Sequence, residues 1–234
     1  MSINKLREKI KRVSNKKHAE AMLWFFKTGK GEYGEGDIFA GIKVPVQRKI
    51  AKEFLNLNFT ELKELLKSKV HEERLIALLI LVEKYEKGVE KEKNKTFRFY
   101  INNRKGINNW DLVDLSAPKI IGHYLLNKDK KLLYDLEKSE NLWDRRIAIL
   151  ATYSFIKSGS FDDALRISDL LLNDKHDLIH KAVGWMLREV GKKNLAVEEI
   201  FLQPRYNKMP RTMLRYAIEK FPETKRKKYL EGKI

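Results

Sequence analysis

Apolar residues recur every three or four positions along almost the whole chain, the spacing that lines one face of an α-helix. Ile3, Leu6, Ile10 and Val13 make one such stripe, and Ala19, Met22, Leu23 and Phe26 a second. Val46, Ile50 and Phe54 follow Pro45, a residue suited to the first turn of a helix because its missing N–H has no intrahelical partner there. The same period predicts helices over 61–67, 72–86, 90–101, 109–127, 130–138, 142–157, 161–172, 175–190, 194–202, 208–220 and 223–231. Strand-like alternation of Val, Thr and Tyr is missing. The breaks between helices are short and polar, at Gly88, Asn127–Asp129, Ser158–Ser160, Asn173–Asp174 and Gly191–Lys193, so consecutive helices are expected to run antiparallel. One Gly-rich stretch, Gly29–Gly36, follows a helix rather than a strand and reads as a turn, not as a phosphate cradle.

A weak internal repeat underlies this pattern. Glu73-Arg-Leu-Ile-Ala-Leu-Leu matches Arg145-Arg-Ile-Ala-Ile-Leu-Ala with Ala77 on Ala148, 71 positions apart, or two units of about 35 residues. Trp110 lies 36 positions before Arg146, and Lys181 lies 35 after it. A two-helix unit at this period predicts an all-α fold, an α-solenoid of HEAT-like helical repeats forming a single domain over 1–234. Such stacks curve, and a concave basic surface along one is a bed for a DNA duplex.

Composition narrows the function. Lys and Arg number 49 against 32 Asp and Glu, a formal charge of +17, which attracts polyanions: nucleic acid first, an anionic membrane surface second. With no cysteine, disulfides, thiolate catalysis and cysteine-ligated metal centres are excluded. No apolar run reaches the roughly 20 residues that span a bilayer, and the N-terminal MSINKLREKIKRVSNKK lacks an apolar signal core. The expectation is a soluble, cytoplasmic monomer with no membrane association.

Standard catalytic signatures are missing: no nucleophile elbow, phosphate loop or dinucleotide fingerprint is present. His176 and His180 stand i,i+4, a spacing that puts two ligands on one helix face, but no third ligand accompanies them. The five histidines therefore read as surface or DNA-facing groups, and no metal or cofactor is implied. Trp110 and Asp114, also i,i+4, pair an aromatic face with a carboxylate, and both stabilise a cation. Arg146 and Trp185 follow at about one repeat each, and Arg146 is suited to bidentate phosphate binding. From spacing alone Trp110 reads more readily as a core residue and Asp114 as a structural ion-pair partner. Trp24 and Trp143 read as core or helix-junction residues.

At these positions the chain resembles the AlkD-like family of DNA alkylation repair enzymes, alkylpurine DNA glycosylases built from HEAT-like repeats. The resemblance is carried by Gly36-Asp-Ile-Phe-Ala-Gly-Ile-Lys-Val-Pro-Val-Gln-Arg48, Asn109-Trp-Asp-Leu-Val-Asp-Leu-Ser-Ala-Pro118, Asn141-Leu-Trp-Asp-Arg-Arg-Ile-Ala-Ile-Leu150 and Ile179-His-Lys-Ala-Val-Gly-Trp-Met-Leu-Arg-Glu189, in family order and spacing. It implies that Asp114 is the catalytic carboxylate, that Arg146 contacts a phosphate near the lesion, and that Trp110 and Trp185 pack against the damaged nucleotide's sugar. Lys43 falls where at least one family member has a glutamine near the DNA. The implied partner is duplex DNA with alkylated bases, and the implied reaction is excision of N3- or N7-alkylated purines in base excision repair. The family reads the lesion from the backbone side and need not build a base-flipping pocket. Lys181, Arg188, Lys192, Lys193, Arg211 and Arg215 are candidate phosphate contacts. A non-catalytic HEAT-repeat module that binds DNA, or a protein scaffold, is the alternative.

Overall fold

The computed structural model describes residues 2–234 and is helical, with no strand among the described residues; a single parallel bridge joins Ile38 to Val70. The chain divides into two compact units, one ending at Ser116 and the other Ala117–Ile234.

The first unit holds α1 (Ile3–Val13), α2 (Lys16–Phe25), α3 (Val44–Glu53), α4 (Phe59–Leu66), α5 (His71–Lys87), α6 (Glu90–Asn102) and the start of α7 (Trp110–Ala117). Its centre is α5. Every residue from His71 to Val82 is buried, so this helix is covered on all sides, with α3, α4 and α6 packed on it. The helix starts follow local chemistry. Asn58 caps α4 by accepting from the Thr60 and Glu61 amides at 2.9 and 3.0 Å, while Glu61 accepts from the Asn58 amide at 2.9 Å, a reciprocal capping box. In α1 the predicted stripe packs through Leu6 and Ile10.

α2 departs from expectation. Its stripe was expected to pack, yet none of Lys16–Phe25 is buried, and only Phe26, just past its end, enters the core. Trp24, expected in the core or at a helix junction, is 76 % exposed. The apolar period is present, but Ala19 and Met22 are only half-buried and Leu23 is exposed, so the neighbouring elements cover that face only in part.

The second unit contains α8 (His123–Leu125), α9 (Lys131–Glu137), α10 (Leu142–Lys157), α11 (Asp162–Leu170), α12 (Asp177–Lys193), α13 (Leu195–Leu202), α14 (Arg211–Ala217) and α15 (Glu223–Glu231). The predicted continuous helix over 109–127 is interrupted. Pro118 has no N–H to give to the ladder, and Pro118–Gly122 forms a wide π-helical turn before α8. α10 is the counterpart of α5. Its residues 146–152 are all buried, and Ala148 is as inaccessible as Ala77, so the repeat read from sequence marks the core helix of each unit. α10 packs on α12, and α12 on α14. Trp143 is buried at the start of α10, as expected.

Candidate active site

The loop between α2 and α3 is fixed by α5. Glu72 is wholly buried, and its carboxylate accepts from three consecutive backbone amides: Ala40 at 2.9 Å, Gly41 at 2.8 Å and Ile42 at 3.1 Å. Charge-assisted bonds of this kind are the strong ones. Gly41 takes φ +79°, and a Cβ there would fall 2.1 Å from the Asn15 carbonyl oxygen, so only glycine fits. The clamp ends where Lys43 caps α3, and the exposed Lys43 therefore leaves a rigid turn at a set position.

A second buried network underlies the start of α7. His71 places Nδ1 3.2 Å from Asp37 Oδ2 and Nε2 2.8 Å from Asp111 Oδ2. Arg74 donates Nη2 to both Asp37 oxygens at 2.7 Å, and Asn109 donates Nδ2 to Asp37 at 3.3 Å. Asn109 Oδ1 in turn accepts from the Trp110 amide at 2.8 Å. Burial alone would lower the His71 pKa, but the charges and hydrogen bonds of Asp111 and Asp37 outweigh it and raise the value to about 9. Burial likewise favours a neutral Asp37, and the contacts with His71 and Arg74 reverse this and hold its carboxyl below the usual range. His71, expected at the surface with the other histidines, is thus an inaccessible imidazolium. Its partners lie 34 and 40 positions away in sequence, and no local spacing reveals them.

An aromatic pile rises from that imidazolium. Phe39 stacks on His71 with centroids 4.7 Å apart, Phe26 stacks on Phe39 at 4.9 Å, and Trp110 lies nearly parallel to Phe26 at 5.1 Å and 10°. Phe25 meets Trp110 edge-on at 5.8 Å. The orientation of the Trp110 ring is therefore set by packing below and by hydrogen bonds at the helix start.

Above the pile lies a cleft of about 750 Å³ between α2, α3 and α7, within the first unit. Trp110, Asp114 and Lys43, three of the predicted site residues, all line it. Most of the remaining wall is apolar, from Met22, Trp24, Phe25, Phe26, Ile42, Pro45 and Leu115, with His18 and Gln47 among the few polar groups. Sequence reasoning missed Trp24, Phe25 and Gln47, although the exposed aromatic pair is adjacent in sequence.

The other predicted residues belong to the second unit. Trp185, on α12, is half-buried and donates Nε1 to Glu189 at 3.1 Å, with Tyr153 at 6.1 Å. Arg146 is buried on α10 and donates Nη1 to the Leu178 carbonyl oxygen. Several candidate phosphate contacts are engaged with acidic or backbone groups. Lys181 pairs with Asp177 at 2.6 Å, Lys192 with Glu189 at 2.7 Å, Arg188 with Glu219, and Arg211 donates to the Leu230 carbonyl at 2.9 Å. Arg215 and Lys193 are exposed. His176 caps α12 by accepting from the Leu178 amide at 3.1 Å, and His180 bonds the Asp174 carbonyl, so both serve the start of that helix. Among the described residues no group of three or more His, Cys, Asp or Glu side chains is placed to hold a metal ion, and no helix is long and apolar enough to cross a membrane.

A search of curated proteins gives no match. Among solved structures, a predicted DNA alkylation repair enzyme from Enterococcus faecalis has the same fold at 18 % identity, with TM-score 0.70 over 90 % of this chain and 97 % of that one. The protein smu.31 from Streptococcus mutans UA159 matches at 19 % identity and TM-score 0.52, over 94 % of this chain and 99 % of that one. The family model described as DNA alkylation repair enzyme matches residues 6–221, nearly the whole chain, and the chain belongs to that family.

Proposed function

We propose that this protein is a DNA glycosylase that hydrolyses the N-glycosidic bond of cationic N3- or N7-alkylated purines in duplex DNA, as a step of base excision repair. Family membership supports a role in DNA repair. The observation that carries the finer reading is the sharing of one cleft by Asp114 and Trp110, on a common face of α7, with Lys43 beside them.

The chemistry suits so few groups. An N3- or N7-alkylated purine already carries a positive charge, so it departs with the bonding electron pair as a neutral base and needs no general acid. As that bond breaks, the deoxyribose takes on oxocarbenium character. A carboxylate beside it stabilises the growing charge, positions the attacking water and accepts its proton. The indole face of Trp110 adds cation–π stabilisation. The reading extends to Lys43, on the wall of the same cleft, as a contact to the DNA backbone.

The test is release of base from duplex DNA carrying N7-methylguanine or N3-methyladenine, followed as abasic sites. Asp114→Asn is expected to slow release by about 10²–10³-fold, the usual effect of removing one electrostatic stabiliser. Release no faster than the spontaneous rate, with Asp114→Asn equal to wild type, overturns the reading. Tight, lesion-independent binding in that case would select a silent DNA-binding module.

A further inference from the structure

On the second unit, Lys181, Lys192 and Arg188 already face carboxylates. The first unit holds the opposite arrangement. A pocket of about 410 Å³ opens where the ends of α4 and α6 meet the turn Arg104–Gly106, and Lys63, Lys67 and Lys105 line it. No carboxylate lines it, and among the described residues none of these three ammonium groups pairs with one. Lys63 belongs to the last turn of α4 and Lys67 follows as its C-cap, whereas Lys105 comes from the turn after α6. Like charges brought to one concavity from separate elements repel, and an anion between them turns that cost into attraction.

The walls of this pocket are held in place by the fold. Arg74, buried near the start of α5, donates Nη1 to the Ser68 carbonyl at 2.8 Å and Nη2 to Asp37 at 2.7 Å, so it fixes the turn between α4 and α5 while Asp37 matches its charge. A Cβ on Gly106 would fall 2.3 Å from the Leu66 carbonyl oxygen, so the turn after α6 sits directly on the end of α4. Asn102 and Asn108 add side-chain amides to the lining. No aromatic ring lines the pocket, and Leu66 is the one apolar side chain that does, so nothing there would hold a base or an acyl chain. Ammonium and amide N–H groups suit an oxyanion. A lysine ammonium is a compact, strongly hydrated charge rather than a rigid fork, which fits a phosphate that keeps part of its water in a space of this size.

We propose that the pocket lined by Lys63, Lys67 and Lys105 holds a backbone phosphate of the DNA duplex, and so anchors the strand on the unit that also carries Trp110 and Asp114. This rests on the DNA-repair reading for the identity of the polyanion, and it goes beyond that reading by assigning a phosphate site to residues outside the cleft. The segment from this pocket to the cleft is short. Asn108 lines the pocket, and the next residue, Asn109, accepts from the Trp110 amide and donates to Asp37. A phosphate seated on Lys105 and Asn108 thereby steadies the segment that leads into α7.

The experiment has two arms. In the first, lysine acetylation is read residue by residue by mass spectrometry for the full-length protein alone, with an undamaged duplex, and with millimolar inorganic phosphate. Lys63, Lys67 and Lys105 are expected to lose their acetylation in the duplex and to keep it in inorganic phosphate. In the second, fluorescence anisotropy follows the same duplex onto the Lys67→Gln/Lys105→Gln protein, changed at two exposed positions that the fold tolerates. Its slope of log K against log salt is expected to be shallower than that of wild type by about 0.9 for the one phosphate lost. Lys87→Gln/Lys233→Gln, the same change of charge at exposed lysines outside the pocket, is expected to keep the wild-type slope. Full acetylation of all three lysines in the saturated complex, or a slope equal to that of the control, overturns the proposal and leaves the role of Asp114 standing. Protection by inorganic phosphate alone marks a small-anion site and overturns the duplex as its occupant. Protection by the duplex in a protein that releases no base sustains the proposal and defeats the glycosylase reading alone.

Discussion

With both ring nitrogens on carboxylates, His71 is a buried cation whose loss takes the imidazole from Asp111 and leaves Asp37 to Arg74 and Asn109. Its folded pKa of about 9 exceeds the ordinary 6.5, so its contribution to stability is fully present below pH 6.5 and is lost as pH rises through 9. Glu198, on α13, acts in the same direction. Burial, aided by the Glu199 charge and opposed by Arg188, raises its pKa from 4.5 to about 9, so its contribution is complete below pH 4.5 and gone above 9. Urea unfolding is therefore expected to show stability falling between pH 6.5 and 9, by at most about 1.4 kcal/mol per pH unit for each group. Glu198→Gln should be more stable than wild type above pH 6 and should show a shallower fall. His71→Asn should lose about 3–5 kcal/mol at pH 7, as when one member of a buried ion pair is removed. A wild-type curve flat from pH 6 to 9.5 would rule out the imidazolium.

At the scale of the helix, close approach is set by single glycines. Gly184 precedes Trp185 on α12, and a Cβ there would meet the Met213 carbonyl oxygen at 2.4 Å and Tyr216 Cβ at 2.5 Å, both on α14. Gly184→Ala is expected to force α12 and α14 apart and to cost about 1–3 kcal/mol, as overpacking does; chemical denaturation measures it, and unchanged stability would mean that the crossing is slack. The sequence made most of this architecture legible, because helix periodicity is written residue by residue. The helix over 142–157 was read to its ends, and the Ala77–Ala148 match found the buried helix of each unit. Periodicity records where apolar residues stand, not whether another element covers them, and so it does not reveal that Leu23 and Trp24 are exposed. Of the candidate site, the Trp110–Asp114 pair was legible from its i,i+4 spacing. The supports beneath it, Glu72 under the Gly41 turn and His71 under α7, were not, since each joins residues 30 or more positions apart.

For the whole molecule, the +17 charge is the property most directly tied to binding DNA. Each phosphate neutralised steepens the fall of log K with log salt by about 0.9, so a protein touching six or more phosphates should lose about 10³ or more in affinity between 50 and 200 mM salt. Fluorescence anisotropy with an undamaged duplex measures this, and an affinity insensitive to salt would remove the electrostatic account. The total charge is legible in composition, whereas the path of the phosphates is not, because Lys181, Arg188 and Lys192 already face carboxylates. The uneven covering of the helices has a kinetic side as well. α5 is enclosed along most of its length, whereas α2 buries none of its own residues and is held at its N-terminal end by the Asn15 amide on the Ala40 carbonyl and by His18 on the Gly41 carbonyl. Its amide protons should accordingly trade with deuterium through small local openings, while those of α5 wait for global unfolding. The wall of the cleft is thus its most readily loosened part, able to part and re-form around an incoming group while the floor beneath stays shut.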